Sequence, residues 1–219
     1  MDRRAFLAAL GAASLLPLPA RAANVQAVLD NDEGWLLVAD HSSGVTIYEK
    51  EVPSLDLTAL KGVYALDVDS EKLFDLLCDI EGHAQVTGSL LESRIIRQSG
   101  EIADYYQVMK SPSALISQRY WVNRSITHRN FTGLPGHHKR QWDALDVALY
   151  PKVRAALAES YPDAVLVTVT HGSWEVTPTE LIYRTVTHPS GNVPSSLFST
   201  LSSKTLPDNM LAFVNHLKT

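Results

Sequence analysis

Cysteine is nearly absent from this sequence of 219 residues, which contains only Cys78. One thiol cannot form an intramolecular disulfide, and it cannot supply a zinc cluster built on several cysteines. Cys78 lies within an apolar segment that favours a helix, so we interpret it as a core residue rather than a nucleophile. The fold must therefore be stabilised by packing.

An excess of positive charge is lacking as well. Lys and Arg number 19 and Asp and Glu number 24, which gives a formal net charge of −5. Without residues 1–22, discussed below, these counts fall to 16 and 23 and the net charge becomes −7. Nucleic-acid-binding proteins neutralise phosphates with basic patches. The acidic balance therefore argues against a nucleic-acid partner.

Recognised catalytic and cofactor motifs are also missing. The chain has no G-x-S-x-G elbow, no H-E-x-x-H, no P-loop and no G-x-G-x-x-G. His128, His137, His138 and His171 show no metal-ligand spacing on one helix or strand. We therefore predict no catalytic residue, no metal and no cofactor.

The N-terminus has the composition of an export signal. Arg3 and Arg4 precede an apolar run that ends in Ala20-Arg21-Ala22, an A-x-A-like cleavage site. The run is shorter than the roughly 20 residues that span a bilayer. We predict a signal peptide at 1–22 and a location in the bacterial periplasm. The start also resembles a twin-arginine signal, which directs export of folded proteins. Ordinary secretion is the alternative route, and a membrane anchor that is not cleaved is the alternative to a signal peptide.

Residues 23–219 are predicted to form one domain, since no linker or repeat follows the leader. Apolar alternation predicts strands at 35–40, 45–49, 61–68, 91–98, 102–109, 118–127, 165–174 and 180–187. Helices are predicted at 71–80, from Pro151 to 160, and at 193–217, where Pro207 should kink or divide the helix. Residues 129–141 are predicted to be a loop. The order indicates an α+β fold in which a curved antiparallel sheet wraps around the C-terminal helix.

Four stretches, in this order, resemble the START family of lipid-transfer domains, within the helix-grip class that includes the Bet v 1-like proteins. They are the hairpin at 35–48, the helix at 73–79, the paired strands from Tyr105 to Val122, and the final strands with the segment His188-Pro189-Ser190-Gly191-Asn192-Val193-Pro194. The chain departs from the family pattern at Tyr120 and His188, where the family has Asp, and in an insertion at 129–162 that we expect to reshape one end of a cavity.

The resemblance implies an internal apolar cavity between sheet and C-terminal helix that holds one lipid or other hydrophobic molecule. Its candidate lining residues are Tyr106, Met109, Arg119, Trp121, Trp174, Tyr183, Leu197, Leu201 and Met210. Ordinary core packing is the alternative for each. Strand register decides between the two, because a shift of one residue exchanges the inner and outer faces.

Three features leave further alternatives open. Arg119 could anchor a phosphate, carboxylate or hydroxyl, or it could tie down a neighbouring loop through Glu or Asp. The final helix could act as a lid that hinges near Gly191 and Pro207, or it could be rigid. The basic run His137 to Arg140 could touch an anionic membrane surface transiently, or it could be a solvated loop.

Three functions follow from these features. The leading hypothesis is an exported lipid-binding or lipid-transfer protein that performs no covalent chemistry. The second is a small helix-grip cavity enzyme, cyclase-like or hydrolase-like, in which Arg119, a Tyr or a His acts on a lipid or polyketide-like substrate. The third is an interaction module without a cavity larger than a few water molecules.

Overall fold

A computed structural model describes residues 20–219 apart from 112–115, 192 and 194, and without the side chains of 20–23 and 195–202. The helices are α1 (Ala20–Asp30), α2 (Ser70–Cys78), α3 (His83–Val86), α4 (Pro151–Ser160) and α5 (Ser195–His216). The strands are β1 (Leu36–Asp40), β2 (Val45–Val52), β3 (Leu57–Ala65), β4 (Leu90–Ser99), β5 (Ile102–Met109), β6 (Arg119–His128), β7 (His138–Ala144), β8 (Val165–Leu166), β9 (Thr170–Val176) and β10 (Glu180–Thr187).

All of these strands belong to one sheet. Its order is β1-β2-β3-β10-β9-β7-β6-β5-β4, and every neighbouring pair in that order is antiparallel. The two-residue strand β8 pairs in parallel with the start of β6. The predicted strand at 165–174 is therefore two separate strands. The α+β, helix-grip prediction is confirmed, because α5 packs against one face of this long antiparallel sheet.

The predicted loop at 129–141 is wrong from residue 138 onward, where β7 begins between β6 and β9. His138, Lys139 and Arg140 are buried in this strand rather than solvated. Each has a partner that local sequence does not reveal: Glu71 for His138, Asp30 for Lys139, and a backbone carbonyl for Arg140. These three side chains are therefore not free to touch a membrane surface.

The insertion contributes to both faces of the sheet. Arg140 and Trp142, on β7, line the cavity described below. The part around α4 packs on the other face, where Tyr161 donates a hydrogen bond to Glu92 Oε2 at 3.0 Å. Of the insertion, β7 rather than α4 borders the cavity, and a reshaping of the cavity by the insertion stays a prediction.

Helix α2 begins at Ser70, one residue before the predicted start. Asp69 is its N-cap, and its Oδ1 accepts a hydrogen bond from the Lys72 backbone N–H at 3.0 Å. Leu73, Phe74 and Leu77 form its buried face. The helix ends at Cys78, two residues before the predicted end.

Helix α5 continues through Pro207, so the predicted division of this helix is wrong. A proline inside a helix costs about 3 kcal/mol because it removes a hydrogen bond and crowds the preceding turn. Leu206 and Met210, on either side of Pro207, are buried against the sheet. We infer that this packing outweighs the local preference.

Close approach of α5 to the sheet requires a glycine on β3. A Cβ atom added at Gly62 would lie 2.3 Å from Met210 Sδ and 2.5 Å from Leu206 Cδ2. Phe213, one turn further along α5, packs edge-on against Trp174 with ring centroids 5.5 Å apart. We call the face of the sheet that meets α5 the concave face.

Helix α1 covers part of the opposite, convex face. Val25 and Leu29 are fully buried there. Gln26 Nε2 donates to the carbonyl oxygens of Trp142 and Gly172 at 2.8 and 3.2 Å. Within the described part of the chain, none of the helices is long and apolar enough to span a bilayer.

We predict that Gly172→Ala destabilises the protein by roughly 1–3 kcal/mol, as overpacking does. A Cβ there would lie 2.3 Å from the Trp142 ring and 2.4 Å from the Arg184 carbonyl oxygen, and the backbone oxygen cannot move aside. Urea denaturation measures the change. Gly88→Ala is the control, because no described residue lies within 4 Å of its added Cβ. Equal stability of the two variants would contradict the prediction.

Candidate ligand cavity

A cavity of about 950 Å³ lies between the concave face and α5. Binding sites for small molecules usually occupy roughly 300–1,000 Å³, whereas one water molecule takes about 30 Å³. The hypothesis of an interaction module with no cavity larger than a few waters is therefore wrong.

Alternation along the strands selects the cavity wall. On β5 the lining residues are Tyr105, Gln107 and Met109, and on β6 they include Trp121 and Asn123. The residues between them point to the convex face, because successive side chains in a strand project on opposite sides. The register of each strand therefore determines which alternate residues face the cavity and can contact a ligand.

Five of the nine predicted residues lie together on the cavity wall. These are Met109, Arg119, Trp121, Trp174 and Tyr183. The side chains of Leu197 and Leu201 lie outside the described residues. That any of the five contacts a ligand stays a prediction.

Tyr106 and Met210 are not on the wall. Tyr106 projects to the convex face, where its hydroxyl donates to Glu92 Oε1 at 2.7 Å. Burial, with the neighbouring Glu92 carboxylate, raises the pKa of Tyr106. Met210 is fully buried against Gly62 in the contact between α5 and β3. Tyr105, rather than Tyr106, faces the cavity. Met210 packs in the core, which is the alternative given for it above.

Aromatic rings form one side of the cavity. Tyr183 stacks on Trp174 with centroids 4.1 Å apart and on Trp142 at 5.9 Å. Burial raises the pKa of Tyr183 to about 12, so its hydroxyl is neutral at physiological pH. The sequence prediction missed Trp142 as a wall residue because it follows the segment taken as a loop.

Arg119 lines the cavity but is tied to the backbone. Its Nε donates to the Pro189 carbonyl oxygen at 3.0 Å, and its Nη1 donates to the Ser117 carbonyl oxygen. Burial lowers the pKa of Arg119. The structure therefore favours the tie to a neighbouring loop, made through carbonyl groups rather than through Glu or Asp. The tie holds the segment that leads into α5.

A group of polar residues that the sequence did not reveal lies at the other end of the cavity. Its members are His83, Tyr105, Gln107, Asn123 and Arg140, all buried. Arg140 approaches the face of the Tyr105 ring, 5.2 Å from its centroid. We call this group the polar end.

His83 is held in one tautomer within the polar end. Gln107 Nε2 lies 3.1 Å from its Nδ1, and the Leu77 carbonyl oxygen lies 3.0 Å from its Nε2. An amide nitrogen only donates and a carbonyl only accepts, so Nδ1 accepts and Nε2–H donates. Burial, with the nearby Arg140 cation, lowers the pKa of His83 to about 3. Both ring nitrogens are occupied, which leaves no lone pair for a substrate.

The described residues also contain no group of three or more His, Cys, Asp or Glu side chains placed to hold a metal ion. Gln107 Oε1 accepts from Trp121 Nε1 at 3.1 Å, so this amide is engaged on both sides. The cavity thus combines an aromatic wall with a few fixed polar groups, an arrangement that suits binding of a mostly apolar molecule.

Comparison with known proteins gives no match to any family model or curated protein. Solved structures do match. The STAR-related lipid transfer protein of Xanthomonas axonopodis is 20% identical with a TM-score of 0.69, over 85% of this chain and 100% of that one. Human STARD10 is 18% identical with a TM-score of 0.72, over 92% of this chain and 80% of that one. Human StarD13 is 10% identical with a TM-score of 0.70, over 92% of this chain and 98% of that one. The chain therefore has the START, Bet v 1-like fold.

We predict that His83 makes stability fall at acid pH. Its pKa is about 3 when folded and about 6.5 when unfolded, so between these values the unfolded chain binds a proton that the folded chain does not. The loss develops as pH falls through this window and amounts to about 2 kcal/mol at pH 5. Urea denaturation from pH 7 to pH 5 measures it.

The His83→Gln variant should lose less stability over that pH range than the wild type, while His41→Gln should match the wild type because His41 is exposed. The comparison uses the pH dependence of each variant, so a constant loss of stability in His83→Gln does not affect it. The same pH dependence in all three proteins would refute the assignment.

Proposed function

We propose that this protein binds one hydrophobic ligand, of lipid type, in the cavity and carries it without covalent chemistry. The cavity of about 950 Å³ between sheet and α5 is the observation that carries the proposal. The Xanthomonas and human proteins of similar fold have names that include lipid transfer, which supports the same class of ligand.

The apolar wall supplies the affinity. Trp121, Trp174, Leu90, Met109 and Phe213 present aliphatic and aromatic surface to the cavity. Burial of apolar surface contributes roughly 25 cal/mol per Å², so burial of about 300 Å² of ligand surface gives about 7.5 kcal/mol before the costs of association. The few polar groups then fix the orientation of the ligand.

Binding is favoured over catalysis by the state of two cavity residues. The cavity-enzyme hypothesis requires Arg119, a tyrosine or a histidine to act on a substrate. Arg119 donates to backbone carbonyl groups, and both nitrogens of His83 are bonded within the protein. Neither supports the role of acid or base.

We further propose that the protein works in the periplasm after removal of residues 1–22. Cleavage after Ala22 falls within α1, and the part of α1 from residue 23 onward retains Val25, Gln26 and Leu29, which hold the helix to the convex face. The proposal rests on the composition of residues 1–22. The contacts of α1 with the convex face are compatible with it, because they are made by residues that remain after cleavage.

A ligand should be lost when the cavity is filled. Thr185 lines the cavity and is only partly buried, so Thr185→Phe places a ring in the ligand space. Ile182 is on the same strand but on the other face, so Ile182→Phe is the matched control. Native mass spectrometry of the purified proteins, followed by organic extraction, measures bound lipid. We expect about one lipid per chain in the wild type and the control, and at least about tenfold less in Thr185→Phe.

Two results would count against the carrier proposal. One is a wild-type protein that is empty and takes up no sterol, phospholipid or fatty acid. The other is equal lipid content in Thr185→Phe and Ile182→Phe, which would place the ligand outside this cavity.

The export proposal predicts a processed chain in the periplasmic fraction. Intact-mass measurement should give a chain that begins at Ala23. Replacement of Arg3 and Arg4 by Lys should abolish export if the route is twin-arginine and should preserve it if the route is general secretion. An unprocessed chain that stays in the cytoplasm would refute the proposal.

A further inference from the structure

Arg140 is a buried cation. It is 2% exposed, its Nη1 donates to the Leu77 carbonyl oxygen at 2.8 Å, and its Nη2 has no hydrogen-bond partner in the described ranges of the chain. No carboxylate among the described residues forms an ion pair with it. An unpaired charge inside a protein is strongly destabilising.

Three other buried cations of the described chain have counterions. Lys139 Nζ lies 2.6 Å from an Asp30 carboxylate oxygen. Arg124 Nε lies 2.7 Å from Asp104 Oδ1, and Arg184 Nη1 lies 2.6 Å from Glu175 Oε2. All three project to the convex face. Arg119 and Arg140 instead face the cavity. Arg119 donates to two backbone carbonyl groups, whereas Arg140 Nη2 has no partner among the described residues.

A second polar group that contacts Tyr105 is also incomplete. Asn123, 1% exposed, donates from Nδ2 to the Tyr105 hydroxyl at 3.4 Å, but its Oδ1 has no partner within the described part of the chain. A half-turn of the amide would direct Oδ1 to the Tyr105 hydroxyl as acceptor and direct the NH₂ group to a ligand. With Arg140 Nη2, the polar end would then offer two donors to one ligand group.

We propose that the polar end binds the carboxylate of a fatty-acid-like amphiphile, with Arg140 as its counterion and Asn123 as a second donor. This inference rests on the proposed function and names the class of ligand. The apolar chain extends toward Arg119, which lies four residues before Asn123 on β6, about 13 Å at 3.3 Å per residue.

A carboxylate fits the polar end better than two other head groups. A neutral hydroxyl would leave the charge of Arg140 uncompensated. A phosphate has more oxygen atoms to satisfy, whereas the neighbouring donors of His83, Gln107 and Trp121 already bond within the protein. A single anionic group with two oxygens matches Arg140 Nη2 together with the NH₂ group of Asn123 after the half-turn of its amide.

The test compares dodecanoate with dodecanol, which share a chain length and differ in the head group. Calorimetry at pH 8 should show that the delipidated wild type binds dodecanoate about tenfold or more tightly than dodecanol, as for a charge-assisted hydrogen bond. Arg140→Gln should reduce dodecanoate affinity to that of dodecanol and leave dodecanol affinity unchanged.

Lys110→Gln is the matched control, because Lys110 also borders the cavity but is exposed and donates to the Gly88 carbonyl oxygen. It should keep the preference for dodecanoate. Equal affinities for both ligands in the wild type, or an equal loss of both in Arg140→Gln, would overturn the carboxylate site but leave the carrier function standing. Failure of the wild type to bind either ligand would instead count against the carrier function.

A measurement on the wild type alone covers the case in which Arg140→Gln does not fold. Dodecanoate labelled with ¹³C at the carboxyl group is titrated by NMR in the bound state. The bound carboxyl should stay ionised to a lower pH than the free acid, because the Arg140 cation favours the anion. Protonation at the same or a higher pH would overturn the proposal.

Discussion

Alternation of side chains between the two faces of the sheet is the constraint on which this protein depends. In β6 it places Arg119, Trp121 and Asn123 toward α5, and it places Arg124 on the opposite face beside Asp104. The same strand thus supplies both the wall of a cavity and part of a buried ionic cluster. The two faces then differ in how their charges are balanced.

The convex face satisfies its charges within the chain. Burial acts to raise the pKa of Asp104, but hydrogen bonds from Arg124, Tyr150 and Arg97 outweigh it and lower the pKa. Tyr150 immediately precedes α4, so this cluster also fixes the insertion to the sheet. On the concave face, no carboxylate in the part of the chain that the structure describes pairs with Arg140. The described residues therefore pair the buried charges of the convex face with one another, whereas the charge of Arg140 on the cavity side is not paired by them.

Sequence reasoning predicted elements whose signals are local. The start of α4 at Pro151 and the strand β10 at 180–187 were correct, because a helix-starting proline and apolar alternation need no knowledge of distant residues. It failed where the deciding contact is remote. Lys139 is buried because it meets Asp30, far away along the chain, and nothing near Lys139 in the sequence indicates this. The adjacent tyrosines 105 and 106 fit a strand equally well in either register, so only the pairing of β5 with its neighbours selects Tyr105 for the cavity.

The position of β10 beside β3 has a consequence for how the chain folds. Leu60 pairs with Thr185, so two segments from opposite ends of the domain must meet before the sheet is continuous. Such long-range pairing slows folding, and until it forms β3 has an unpaired edge that can bind other chains. During synthesis β1 to β3 emerge well before β10. The hairpins made by β1 with β2 and by β4 with β5 can form early, whereas the sheet becomes continuous only when β10 pairs with β3 and β9.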